Sequence, residues 1–129
     1  MIVADASAVV DLLFADDRAR GPIEDAILDG APLEAPDLIT LEVLSAIVGI
    51  GRRRRLARLE VAELVAAYRT LPITTHLTYP YAERIAALSV RHSVYDASYV
   101  ALAEALDVSL LTTDGRLARR IRGVDVILV

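Results

Sequence analysis

Hydrophobic and polar positions along this chain alternate between two periods. Ile2-Val3-Ala4 is a short apolar run, and Ser7 to Ala15 follows with Val9, Val10, Leu13 and Phe14 at helical spacing, so strand then helix is the simplest reading. Pro22 opens a second short helix through Leu28, stopped by Gly30 and Pro32, which leaves Leu33 to Ala35 as a brief strand. Leu38 to Ile50 is a helix by its Leu41, Leu44, Ile47 and Val48 stripe, ended by Gly49 and Gly51 beside a run of arginines. Leu59 to Leu71 is another, with Val61, Leu64, Val65 and Tyr68 on one face. Ile73 to Thr75 reads as a strand, followed by helices near Pro80 to His92 and Asp96 to Leu106. The closing segment repeats the alternation with strand Ser109 to Thr112, helix Gly115 to Ile121 and strand Val124 to Leu128. Five short strands separated by helices predict a three-layer α/β/α sandwich around a central, mainly parallel five-stranded sheet. With 129 residues and no linker or internal repeat, residues 1–129 are expected to form a single domain.

Composition narrows the classes of chemistry. A hydrophobic fraction of 55% and mean hydropathy of +0.46 exclude a purely solvating chain. The longest stretch without a charged side chain, Thr70 to Ala82, is too short and too polar to span a membrane. The amino terminus meets an acid at Asp5 and has no basic region, so a cytoplasmic protein is expected. There is no cysteine, which removes disulfides, thiol nucleophiles and Cys-ligated metal sites. All 14 basic residues are arginines, so mechanisms that need a lysine ammonium group are also excluded. A net charge of −4 argues against a protein that coats nucleic acid wholesale, while leaving local contact open.

The acids fall at informative places. Asp5 follows the first strand and Asp114 the fourth, which in a parallel sheet puts both at the carboxyl edge, where open α/β sheets bind ligands. Asp96 lies where a helix begins, so it either caps that helix or faces the same crevice. Glu42 sits among Leu38, Leu41, Val43 and Leu44, where an ionised carboxylate is costly unless neutralised. Taken singly, each has a plainer role: Asp114 as a turn or cap residue, Asp96 as a cap, Glu42 on a solvated stripe with Ser45 and Gly49. Taken together, four acids at one edge, with only two histidines in the chain, suggest a hard cation, Mg²⁺ or Mn²⁺, held by oxygen.

Four segments carry a family resemblance in order: Val3-Ala4-Asp5-Ala6-Ser7-Ala8; Ala35-Pro36 with Glu42-Val43-Leu44-Ser45-Ala46; Tyr95-Asp96-Ala97-Ser98-Tyr99-Val100-Ala101-Leu102-Ala103; and Leu111-Thr112-Thr113-Asp114-Gly115-Arg116-Leu117. They resemble the successive motifs of PIN domains, and the size and order are similar to the VapC-type toxins of prokaryotic type II toxin–antitoxin pairs. The resemblance implies that Asp5, Glu42, Asp96 and Asp114 are the metal-binding, catalytic quartet. It also implies that Ser7 and Thr112 orient the carboxylates or water by hydrogen bonds. Gly115 departs from the family, many of whose members have a larger residue there. The implied activity is a Mg²⁺- or Mn²⁺-dependent endoribonuclease that leaves a 5′-phosphate and a 3′-hydroxyl. Carboxylate-held divalent metal suits phosphodiester hydrolysis because it neutralises developing charge and generates hydroxide near neutral pH.

The remaining features are read beside that implication. His76 and His92 lie outside the motifs and are expected at surface or capping positions. Tyr95 and Tyr99 flank Asp96 and read as core, with stacking on a base as the alternative. Arg52, Arg53, Arg54 and Arg55 form the one concentrated positive run, either a solvated turn or a patch beside the acids that contacts RNA phosphates. A PIN fold acting as an RNA-binding or scaffold module with little catalysis is the alternative reading. A phosphoaspartate enzyme built on Asp5 is disfavoured, since Asp5-Ala6-Ser7 lacks a second acid and the chain lacks lysine. An apolar fraction this large also predicts shared surface. The resemblance supplies two sharers: a second copy in a homodimer, and a small VapB-like antitoxin whose helix lies in an apolar groove.

Overall fold

β1 (Ile2–Ala4) is wholly buried and paired on both sides, which is how three residues come to form the middle of a sheet. The computed structural model describes residues 1–14, 20–30 and 32–129. In it, β2 (Leu33–Pro36) and β3 (Ile73–His76) continue the sheet on one side of β1, and β4 (Leu110–Thr112) and β5 (Val126–Leu128) continue it on the other. The order is β3-β2-β1-β4-β5 and every pairing is parallel, so the sheet expected to be mainly parallel is wholly so. Parallel neighbours cannot be joined by a tight turn, and each of the first four strands is followed by helical crossover chain. These crossovers are α1 (Ala6–Leu13) and α2 (Arg20–Leu28), then α3 (Ile39–Arg53) and α4 (Arg58–Thr70). A 3₁₀ turn at Tyr79–Tyr81 with α5 (Ala82–Leu88) and α6 (Val94–Leu106) follows, and α7 (Gly115–Arg120) completes the set.

Alternate strand residues point to opposite layers. Val3 and Leu110 join Val9, Ile39, Val43 and Val100 in the larger core, whereas Ile2, Leu33 and Leu111 pack with Ala8 and Ile23. α6 is buried without a break from Ala97 to Ala103 and packs on β1, β2 and β4. A helix apolar all round belongs inside, and its small residues Ala97, Ser98, Ala101 and Ala103 let it lie close to the sheet.

Several element limits depart from the periodicity. The expected end of the first helix at Ala15 lies outside the described residues. α2 begins at Arg20, with Pro22 inside its first turn, where a missing amide hydrogen costs nothing. α3 does not stop at Gly49 and Gly51 but continues to Arg53. Gly51 is there for close approach, since a Cβ on it would meet Val61 Cγ2 of α4 at 3.1 Å. The single helix expected from Pro80 to His92 is a 3₁₀ turn plus α5, which ends where the Ser89 hydroxyl donates to the Ile85 carbonyl at 2.7 Å. α6 starts two residues before Asp96, capped by Ser93. Among the described residues no helix is long and apolar enough to cross a membrane.

Candidate active site

The chain runs from β1 outward to β2 and β3, then returns to lay β4 against the other side of β1. This reversal makes the carboxyl ends of β1 and β4 the switch point of the sheet, the usual ligand position in open α/β folds. Asp5 stands at the end of β1 and Thr112 at the end of β4, with the Asp5 amide donating to the Leu111 carbonyl at 3.0 Å.

Asp5 is only 5% exposed. Its Oδ1 accepts from the Ser7 hydroxyl at 2.6 Å and the Ala8 amide at 3.0 Å, so it also caps α1, and its Oδ2 accepts from the Thr112 hydroxyl at 2.5 Å. Thr112 Oγ1 in turn accepts the Asp114 amide at 2.9 Å, and Ser7 Oγ accepts the Thr113 amide at 3.0 Å. Two hydroxyls thus clamp the first acid to the loop that carries the last. Burial pushes the Asp5 carboxyl above its ordinary range, the Ser7, Thr112 and Ala8 hydrogen bonds oppose this, and the charge of Asp114 adds to the rise.

Glu42 lies in the first turn of α3 and is partly buried. Its Oε1 accepts from the Tyr99 hydroxyl at 2.8 Å. Burial raises its pKa, the Tyr99 hydrogen bond lowers it, and the charges of Asp96 and Asp5 raise it. Asp96 lies in the first turn of α6, where the Ser93 hydroxyl takes its amide at 3.0 Å. Ser93 is therefore the cap, and the Asp96 carboxylate, expected either to cap or to face the crevice, is left free of that duty. Asp114 is an N-cap: its Oδ1 accepts the Arg116 amide at 2.8 Å and the Leu117 amide at 3.1 Å.

The four acids are electrostatic neighbours in a row, Asp114 with Asp5, Asp5 with Glu42, and Glu42 with Asp96. Among the described residues no three carboxylates or imidazoles already converge as a closed cation cage. Glu42 Oε2, Asp114 Oδ2 and both Asp96 oxygens nevertheless accept no protein hydrogen bond among the described residues. Hard oxygen donors with lone pairs to spare, beside an acid whose ionisation is opposed first by burial and then by the charge of Asp114, match what a small divalent cation needs.

Other expectations change. Tyr99 is 2% exposed and bound to Glu42, so it cannot stack on a base, whereas Tyr95 is 63% exposed. The sequence signal for Tyr99 was its position three residues after Asp96, which puts both on one face of α6. His76 Nε2 lies 2.5 Å from Glu34 Oε2 of the adjacent strand. His92 is buried instead of sitting at the surface, and its Nδ1 has no hydrogen-bond partner among the described residues. Arg52 and Arg53 occupy the last turn of α3, Arg54 its C-cap over the Phe14 ring at 5.5 Å, and Arg55 a left-handed position at φ 52°. Glu42 is at the other end of that helix, about 15 Å away at 1.5 Å per residue, so the arginine run is not beside the acids.

The sheet order and the acids at its carboxyl edge define the class. Residues 2–123 match the PIN domain family model, and the chain belongs to the PIN-domain family. Its relatives within it include Mycobacterium tuberculosis ribonucleases named VapC. It is 36% identical to Ribonuclease VapC9 over 118 residues, covering 92% of this chain and 89% of the relative. It is 37% identical to Ribonuclease VapC12 over 119 residues, covering 92% and 91%, and 41% identical to Ribonuclease VapC1 over 122 residues, covering 90% and 87%. Among solved structures, PAE2754 from Pyrobaculum aerophilum superposes with a TM-score of 0.73 at 21% identity, covering 97% of this chain and 82% of that one. Mycobacterium tuberculosis VapC20, described as a Sarcin-Ricin loop cleaving toxin, superposes with a TM-score of 0.62 at 17% identity, covering 92% and 94%. These two likenesses establish the fold.

Proposed function

We propose that this chain is the toxin of a type II toxin–antitoxin pair, an endoribonuclease that hydrolyses RNA phosphodiester bonds with Mg²⁺ or Mn²⁺ at Asp5, Glu42, Asp96 and Asp114. The observation that carries this reading is the row of four mutually repelling carboxylates at the switch point of the sheet, in a chain whose relatives are ribonucleases by name. A divalent cation bound there would offset the negative charge of the phosphodiester and make water a stronger acid. The protein's share is positional. Ser7 and Thr112 fix both oxygens of Asp5. Tyr99 holds Glu42 by one oxygen and leaves the other to the crevice. The caps at Ser93 and Asp114 set where α6 and α7 begin, and with them the two flanking acids.

The reading treats residues 1–129 as one nuclease domain that works as a homodimer and is restrained by a small VapB-like antitoxin. Exposed Tyr79, Val94 and Tyr95 share a groove with Leu38, Ala82 and Ile85, an apolar surface that a second copy would cover. Arg52 to Arg55, far from the acids along α3, suit contact with a long RNA away from the cut. The test is cleavage of RNA by purified protein with Mg²⁺ or Mn²⁺, in chelator, and by Asp96→Asn. Cleavage that survives chelation and the substitution alike overturns the reading. Sequencing the RNA ends produced by brief induction would identify the target and check for 5′-phosphate products.

A further inference from the structure

A cavity of about 300 Å³ lies between the end of α5 and the end of α7, lined by Arg84, Arg91, His92, Arg120 and Arg122 together with Leu88 and other residues. Four arginines around one cavity are unexpected in a chain of net charge −4. One of them is neutralised: Arg84 forms a two-pronged pair with Glu104, Nε to Oε2 at 2.7 Å and Nη2 to Oε1 at 2.8 Å. The other three are not. Arg122 Nη1 donates to the carbonyls of Arg119 and Ile121 at 2.9 Å each, which holds its guanidinium in place and leaves its charge unpaired. The side chains of Arg91 and Arg120 have neither a hydrogen bond nor an ion pair among the described residues. His92 is 7% exposed, and among the described residues its buried Nδ1 has no partner, although buried polar atoms are nearly always satisfied.

An anion with several acceptor oxygens suits this cavity: it pairs two or three guanidinium groups against a wall that His92 also lines. The cavity also touches the acidic centre electrostatically. His92 feels Asp96 on one side and Arg120 and Arg91 on the other. Burial first, then the two arginines, hold its pKa below the usual range, which favours a neutral ring able to donate one hydrogen bond without adding charge. A strand of RNA whose cut phosphate lies at the acids carries further phosphates on either side, and one wall of this cavity feels the charge of Asp96.

We propose that this arginine-lined cavity is a phosphate subsite that anchors the RNA backbone next to the cut, with Arg91, Arg120 and Arg122 as the charged contacts. The inference rests on the ribonuclease reading and adds a positioning site to it that the four acids cannot supply, because they repel the backbone they must act on. The same chemistry is offered by a free phosphate or a nucleotide, which the test separates.

The probe is a labelled single-stranded RNA oligonucleotide, titrated in chelator so that binding is read without cleavage. Arg91→Gln and Arg120→Gln change exposed side chains, and a melting temperature equal to the parent's shows that the fold is kept. Each substitution is expected to weaken binding several-fold and to flatten the plot of log affinity against log salt by about 0.7, the double variant by about twice that. Unchanged RNA affinity and slope in the double variant overturn the subsite. Inorganic phosphate or a nucleoside monophosphate that binds the parent and not the double variant, with RNA affinity intact, also overturns it in favour of a small-anion site. A parent protein that neither binds nor cleaves RNA with Mg²⁺ or Mn²⁺ overturns the nuclease reading itself.

Discussion

Tyr99, buried in the middle of α6, donates its hydroxyl to Glu42 Oε1 of α3 at 2.8 Å. This bond is what lets a carboxylate sit half-buried among apolar neighbours, and it opposes the rise that burial and Asp96 impose on the Glu42 carboxyl. Removing it in Tyr99→Phe should cost about 1.5–3 kcal/mol, the range for a hydrogen bond to a charged group. It should also push the Glu42 pKa further up, so the acidic limb of the cleavage rate profile moves to higher pH. A denaturant titration and a pH profile of kcat/KM check the two effects.

Asp5 and Glu42 both have raised pKa values in the fold, burial being the first cause in each. A carboxyl whose folded pKa lies above its unfolded value stabilises the fold most below the unfolded pKa and loses that contribution as pH rises through the folded one. In chelator, their contribution should therefore fall from about pH 4 upward, past the ordinary carboxylate values. Asp5→Asn should be less sensitive to this rise than the parent, the gap widening toward neutral pH. Mn²⁺ should reverse the order, stabilising the parent by about 2.7 kcal/mol at a hundredfold excess over its Kd and the variant by less. Thermal melts across pH, with chelator and with Mn²⁺, read both trends.

Thr112 is fully buried and serves two partners, donating to Asp5 and accepting from the Asp114 amide. Thr112→Val keeps the shape and orphans both, an expected loss of about 1–3 kcal/mol with a fall in cleavage. Thr112→Ser retains the hydroxyl and should recover most of the activity. Parallel measurement of melting temperature and kcat distinguishes loss of the clamp from general unfolding.

Arg53→Ala should weaken RNA binding, flatten its salt dependence and leave kcat nearly unchanged, because Arg53 is at the far end of α3 from Glu42. Arg54→Ala should additionally lose about 0.5–1 kcal/mol of stability with its contact to the Phe14 ring. An unchanged salt slope for Arg53→Ala would leave the arginine run as a solvated helix end.

Light scattering at micromolar concentration should give twice the 14.0 kDa chain mass. Tyr79→Arg, in the exposed apolar groove, should return the monomer without loss of melting temperature. Co-expression with the adjacent small open reading frame should give a complex in which cleavage is suppressed.

The alternation of two hydrophobic periods determined by itself that short strands would be separated by helices around a mostly parallel sheet. That much is local, because pleat and helix each impose their own spacing on the chain. Four acids at strand ends and helix starts were legible for the same reason, since position within an element follows from the pattern. The tertiary structure alone decided what those acids touch. Tyr99 looks like a core residue in the chain and becomes the partner of Glu42 only because α6 is buried against the elements that carry the other acids. Ser93 takes the capping role that Asp96 was equally suited to, and Gly51 continues a helix it was expected to end because α4 packs within reach of its missing side chain. The arginines show the same limit from the other side. The sequential run at Arg52 to Arg55 is carried away from the acids by the length of one helix. Arg91 stands far in sequence from Arg120 and Arg122 and meets them around one cavity, because contact between side chains on different elements depends on how those elements pack.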